Sequence, residues 1–212
     1  MDAIANVASL MRDLPLNSKH VSRTDAEEAV RTLIRWAGDD PGREGLSETP
    51  ARVLRAYREW FGGYRQDPAL HLLRTFTEVG DYNEAILLRD IPFSSVCEHH
   101  MAPITGVAHI SYLPQGQVVG ISKLARVVDS ITRRLQIQER LTSEIAGIVY
   151  SVLKPRGVAV AVEAAHACMS TRGVHKQGIA MATYKILGAY ERDPRLRAEF
   201  LASIRRDRRP MA

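Results

Sequence analysis

The feature that most narrows the fold is the order in which two periodicities arrive along the chain. From residue 85 onward, stretches with strand character come in groups instead of one by one between helices. Residues 85–91 are mostly apolar, residues 107–113 alternate Val107, His109, Ser111 and Leu113 with Ala108, Ile110 and Tyr112, and residues 117–121 follow closely. Two helical stretches come next. Ser122 is expected to cap a helix carrying Val127, Val128, Ile131 and Leu135, and a second helix runs from about Gln138 to Leu153, stopping before Pro155 and Gly157. Residues 157–165 and 179–187 then read as strands, and a last helix follows. A doubly wound parallel sheet needs strand and helix to alternate. Grouped strands predict an α+β fold with an antiparallel sheet.

Ahead of the strands the texture is helical. Residues 1–23 hold no sustained period and read as a mobile arm. Thr24 with Glu27 reads as a capping box opening a helix with one apolar stripe of Ala26, Val30, Leu33, Ile34 and Ala37. Gly38-Asp39-Asp40-Pro41-Gly42 is a loop by composition. Thr49 before Pro50 reads as an N-cap followed by a residue suited to the first helical position, and that helix continues through Tyr57 and Phe61 to Gly62-Gly63. The expected division is an arm (1–23), an N-terminal helical region (24–65) and a main domain (66–212).

Composition excludes several classes. With 45% apolar and 25% charged residues over 212 positions, the chain has the makeup of a soluble globular protein, not of a disordered or collagen-like one. Its longest apolar runs, such as residues 145–153, fall far short of the ~20 residues of a membrane span. Two cysteines, Cys97 and Cys168, cannot make a disulfide scaffold. No basic, then apolar, secretory leader is seen at the start, so a reducing cytoplasm is expected, where thiols or metal ligands outrank a bridge.

The net charge is +5, and residues 191–212 carry seven arginines against four acidic residues. Nucleic-acid contact, in a protein with a structural zinc, is one reading of that tail. The plainer reading is a solvated amphipathic helix, since Leu196, Phe200, Leu201 and Ile204 recur at helical spacing. Nucleic acid is therefore not the expected partner.

Chemistry concentrates in three segments. Cys97-Glu98-His99-His100 offers thiolate and imidazole, the ligands zinc prefers, with Cys97 and His100 on one side of a tight turn. His166-Ala167-Cys168 adds a second thiol and, if read as a strand, puts His166 on the same face. Cys97, His100 and Cys168 make a set of three ligands, which leaves a fourth tetrahedral position open, as in catalytic zinc sites. His99 and His166 remain as imidazoles suited to moving protons. The alternative is that both cysteines are simply buried hydrophobes. In the second segment, Gly120 to Arg126, a helix N-terminus with Lys123 and Arg126 outlines an anion site, or else an exposed amphipathic helix. Arg172, four positions after Cys168, could add charge near the metal. The third segment, Gln138-Glu139-Arg140, opens a helix, where a carboxylate is favourable with the helix dipole whatever else it does.

Together these segments resemble the GTP cyclohydrolase I family from the first helix to about residue 190. The resemblance rests on Asp-Pro-Gly-Arg-Glu-Gly-Leu (40–46), Thr-Pro-Ala-Arg (49–52), Cys-Glu-His-His (97–100), Gly-Ile-Ser-Lys-Leu-Ala-Arg (120–126), Arg-Leu-Gln-Ile-Gln-Glu-Arg-Leu-Thr (134–142) and His-Ala-Cys-Met-Ser-Thr-Arg-Gly-Val (166–174). It implies a tunnelling fold, an antiparallel sheet with helices packed on one face, assembled as a homodecamer with active sites between subunits. It implies hydrolysis of GTP to 7,8-dihydroneopterin triphosphate and formate, the first step toward tetrahydrofolate. By position, zinc would be held by Cys97, His100 and Cys168, and water activated there would attack C8 of guanine. His99 and His166 would handle protons, Ser122 would assist ribose opening and rearrangement, and Glu139 with Gln138 would anchor the pyrimidine edge. Lys123, Arg126, Arg172 and Arg52 would bind the triphosphate. The chain departs from the family over residues 177–184, where a Ser/Thr-rich strand is usual, and at Met101, where Phe is common.

Overall fold

In the computed structural model of the chain, residues 21–77 and 82–205 are described. The expected arm lies almost wholly outside them, as do Arg206, Arg208 and Arg209 of the basic tail.

The chain enters through two helices, α1 (Arg23–Trp36) and α2 (Thr49–Trp60), which pack on each other. Their caps differ from the expectation. Ser22, not Thr24, caps α1, because its extended backbone lets Oγ accept the Asp25 N–H at 3.0 Å. Glu48 precedes α2, and Thr49 is already helical with Pro50 behind it. Helix α1 buries no residue, and Trp36 is 86% exposed. Two 3-10 turns, Gly62–Arg65 and Pro68–Leu72, lead onward.

The strands are β1 (Thr75–Phe76), β2 (Ile86–Cys97), β3 (Pro103–Leu113), β4 (Val118–Val119), β5 (Leu135–Gln136), β6 (Gly157–His166) and β7 (Met181–Gly188). A five-stranded sheet has the order β5-β2-β3-β6-β7, and β1 pairs separately with β4. Its pairings are antiparallel except that β5 runs parallel to β2 at Val96–Leu135 and Cys97–Gln136. The fold is α+β with a largely antiparallel sheet, as the grouped strands predict.

Strand β2 is longer than residues 85–91 suggest. It shifts register between Leu88 and Ile91, where Asp90 takes a positive φ of 60°, and continues past Pro92. Proline is tolerated there because β5 pairs only with the last two residues of β2, so Pro92 needs no N–H on that side.

Helix α3 (Ile121–Thr132) and helix α4 (Gln138–Leu153) cover one sheet face. Leu124, Val127, Val128 and Ile131 of α3 are fully buried against Ile110, Val160 and Leu141, each worth about 1.5–3 kcal/mol of burial. Gly120, not Ser122, caps α3. Helix α4 begins at Gln138 and ends at Leu153 as read, with Lys154 in the left-handed region before Pro155.

The opposite face is not bare. Helices α6 (Ala189–Arg192) and α7 (Pro194–Ile204) bring Tyr190 and Phe200 against Leu113, Ala159 and Ala161, with Leu196, Leu201 and Ile204 packed around them. The two long helices take one face, as expected, and the C-terminal helices add cover to the other at this end of the sheet. The apolar stripe of the basic tail covers strand residues that would otherwise face water.

Candidate active site

The two ligand motifs meet because β3 lies between β2 and β6. Cys97 ends β2, and Ile104, just inside β3, pairs with His166 at the end of β6. A turn joins β2 to β3: Cys97 N–H donates to Ala102 O and Met101 N–H to Cys97 O, both at 2.8 Å, with Met101 at a positive φ of 51°. That turn sets His100 back over Cys97. The second thiol arrives differently from the expectation. Strand β6 stops at His166, and Cys168 sits in a single helical turn, α5 (Ala167–Ser170).

The ligand atoms of Cys97, His100 and Cys168 all lie within 4.8 Å of one another. A tetrahedral ion with bonds of ~2.0–2.3 Å wants its ligand atoms about 3.5–3.8 Å apart, a spacing that small side-chain rotations reach. The chemistry of the donors fits as well. Burial pushes the Cys168 thiol up from its ordinary value, and the neighbouring Cys97 adds to that, so Cys168 resists ionising unless a cation lies beside it. Arg172 Nη1 donates to His100 Nε2 at 3.1 Å, which sets a guanidinium at the edge of the cluster. Among the described residues this is the cluster of His, Cys, Asp or Glu side chains arranged to hold an ion.

His166 stands beside the cluster, lining an open cleft with Ser170, Thr171 and His175. Burial lowers its affinity for a proton, and Glu139 works against that. Its Nε2 is 2.8 Å from Gln138 Oε1. Glu139 itself is exposed in the first turn of α4, whereas Gln138 is turned inward at 1% exposure, its amide nitrogen spent on Val162 O, Met181 O and Thr183 Oγ1. His99 is exposed on the turn, its ring edge-on to His100 with centroids 6.3 Å apart.

Sequence reasoning missed the clamp on the ligand turn. Arg140 pairs with Glu98, donates to Gln136 Oε1 at 3.2 Å and lies 3.7 Å from Glu144, while Glu98 N–H donates to Gln136 O at 3.1 Å. Arg140 and Glu98 both stand in quoted motifs, but nothing in their spacing of 42 positions signals the contact.

The anion segment lies elsewhere. Tyr112 OH, near the far end of β3, accepts the Val119 N–H just before α3. Ser122, Lys123 and Arg126 thus start from the end of β3 opposite to the metal cluster, and the 11 residues of β3 span about 35 Å. Helix α3 runs back about 18 Å toward β5, so its first turn stays remote from Cys97 within one chain. Arg52, exposed on α2, is paired with Glu48 at 3.0 Å.

Comparison with known proteins accords with this geometry. The GTP cyclohydrolase I family model matches residues 26–205. A curated "GTP cyclohydrolase 1" of Sinorhizobium fredii (strain NBRC 101917 / NGR234) is 50% identical over 205 residues, covering 97% of this chain and 98% of that protein. Among solved structures, the archaeosine synthase QueF-Like in the apo form aligns at a TM-score of 0.44 and 20% identity, covering 51% of this chain and 98% of that one. With matched motifs carried on the sheet and helices that place them, the chain belongs to the GTP cyclohydrolase I family.

Proposed function

We propose that the chain hydrolyses GTP to 7,8-dihydroneopterin triphosphate and formate, the first step toward tetrahydrofolate, with zinc held by Cys97, His100 and Cys168. The observation that carries this reading is the convergence of those three ligand atoms within 4.8 Å beside His166. Zinc bound there supplies a nucleophile from water at neutral pH. His166 and His99 take up and return protons as the imidazole ring of guanine opens and formate leaves. Glu139 accepts from the N–H groups of the pyrimidine edge, which penalises purines lacking those donors. Arg172, already at His100, brings a guanidinium toward the phosphates.

Ser122, Lys123 and Arg126 join this site from a neighbouring copy, Ser122 acting on the ribose and the two cations on the triphosphate, with Arg52 a further cation. Their remoteness from Cys97 within one chain supports sites shared between subunits of a homo-oligomer, a decamer in this reading, as does the exposure of Leu33 and Trp36 on α1. Residues 66–212 then form the catalytic domain and 24–65 the helical extension. No helix of the described residues is long and apolar enough to cross a membrane, and we place the enzyme in the cytoplasm.

The test is incubation of purified protein with GTP, oxidation, and detection of fluorescent neopterin alongside formate, with and without a chelator. Product in equal amount to formate, abolished by chelation and restored by zinc, is the expected result. Metal-loaded protein that gives no product overturns the assignment. Light scattering checks the assembly.

A further inference from the structure

Cys97 closes β2, and the turn that follows carries both Glu98 and His100. Backbone contacts fix the base of that turn: Glu98 N–H donates to Gln136 O at 3.1 Å, beside the parallel pairing of Cys97 with Gln136. Farther out, side chains hold it. Glu98 makes an ion pair with Arg140 of α4, their side chains 30% and 35% exposed, so the pair is partly shielded from water.

Arg140 is itself held in place. Its Nη2 also donates to Leu135 O at 3.3 Å, and its Nε donates to Gln136 Oε1 at 3.2 Å. Gln136 is buried, and its amide has one orientation. Its Nε2 donates to Ile131 O at 3.0 Å and to Glu144 Oε2 at 3.2 Å, which leaves Oε1 for Arg140. A guanidinium is a planar fork, so contacts on both Nε and Nη2 fix its plane as well as its place. Glu98 therefore meets a partner already set.

The same end of α4 is bonded to the other half of the metal cluster. Gln138 Nε2 donates to Val162 O of β6 at 3.1 Å and to Met181 O of β7 at 2.9 Å. Strand β6 ends at His166, and Cys168 follows in α5. The first turn of α4 thus grips the strand that delivers Cys168 and, through Arg140, the turn that delivers Cys97 and His100. Side chains from two distant stretches bind an ion tightly when the stretches are already in place; otherwise binding has to order them.

We propose that Arg140 is a positioning residue for the metal: its ion pair with Glu98 holds the turn of Cys97 and His100 at the distance from Cys168 that an ion requires. The inference rests on the reading of those three residues as metal ligands. It carries a sign that charge alone does not give. Arg140 is a cation near a cation site, so by charge alone its removal would tighten metal binding. As a clamp, its removal weakens binding.

The zinc dissociation constant of purified full-length protein, measured by competition with a chromophoric chelator, tests this without turnover. Partners that orient metal ligands are worth about 10- to 100-fold in affinity, and Arg140→Met and Glu98→Ala should each lose that much. Both remove one tie, so the double variant should match the weaker single within about threefold. Arg140→Lys keeps the charge and loses the fork, and should still bind zinc several-fold more weakly. It decides the matter should Arg140→Met fail to fold. Phe200→Ala loosens the opposite face of the sheet and should leave zinc affinity within about threefold of wild type, which separates a clamp from general loss of stability. Unchanged or tighter binding in Arg140→Met or Arg140→Lys refutes the proposal, as do additive losses in the double variant or an equal loss in Phe200→Ala. Wild-type protein that takes up no zinc would overturn the ligand reading along with it; wild-type protein that binds zinc no better than these variants overturns the clamp alone.

Discussion

Two neighbouring glycines should respond to alanine in opposite ways. Gly63 is buried where the first 3-10 turn meets the end of α3, and its N–H donates to Arg133 O at 3.0 Å. A methyl group on Gly63 would lie 2.2 Å from Ser130 O and 2.8 Å from Arg133 O. Restoring ordinary contact requires the backbones to part by about 1 Å, since overpacked groups must move or strain, at about 1–3 kcal/mol. That movement pulls the N–H off Arg133 and loosens Arg134 Nε from Gly63 O, now at 3.1 Å. A buried N–H left without a partner costs about 1–3 kcal/mol more. Against this stands a gain of about 0.4–1 kcal/mol from a stiffer unfolded chain. Gly63→Ala should therefore lose about 2–5 kcal/mol. At Gly62 the nearest atom to an added methyl is Arg65 Nη2 at 3.8 Å, and φ is not positive, so Gly62→Ala keeps the entropic gain alone. Urea midpoints followed by tryptophan fluorescence at one fixed protein concentration measure both variants. If Gly63→Ala falls within about 0.5 kcal/mol of wild type, the close approach inferred from the backbone is wrong.

Three further outcomes follow from named contacts. Phe200→Ala should cost about 3–5 kcal/mol in the same urea experiment, because Phe200 is 4% exposed and packs edge-on to Tyr190; an unchanged midpoint would mean that α7 is not docked. Burial, with Arg126 and then Lys123 nearby, pushes His71 below the usual imidazole range. Below pH ~6.5 the unfolded chain then binds a proton that the folded chain resists, so stability should fall as pH drops. The Tm of His71→Gln should decline less steeply than wild type from pH 7.5 to 5.5; parallel curves would count against this. Cys168→Ala should lose both stoichiometric metal, read by elemental analysis, and GTP turnover, whereas retained metal would show that the third ligand is misassigned.

How far the sequence could be read depended on range. Helix α4 was legible at both ends, since Gln138 to Leu153 carries an apolar stripe and is followed by Pro155. The grouped strands gave the antiparallel sheet, and the ligand trio could be named because each residue type is scarce and chemically distinct. Local shifts of one or two residues hid the caps: Ser22 and Gly120 do the work expected of Thr24 and Ser122, a choice made by backbone angles and not by residue type. Residues 85–91 are only the first part of β2, which continues past Pro92 because β5 pairs only with its last two residues. A strand reading of residues 166–168 puts both side chains on one face, and period two cannot foresee that β6 ends at His166. Contacts such as Arg140 with Glu98 and Gln138 with Thr183 join residues more than 40 positions apart, and only the folded sheet reveals them.

The central claim is that two sulfurs and one imidazole grip an ion and leave it one position for solvent. Zinc-edge X-ray absorption on the reconstituted full-length protein measures this directly. Two sulfur neighbours at about 2.3 Å and two nitrogen or oxygen neighbours at about 2.0–2.1 Å, one of them exchangeable for an added anion, are the predicted result. A shell with fewer than two sulfurs, or one that no added anion alters, would contradict it.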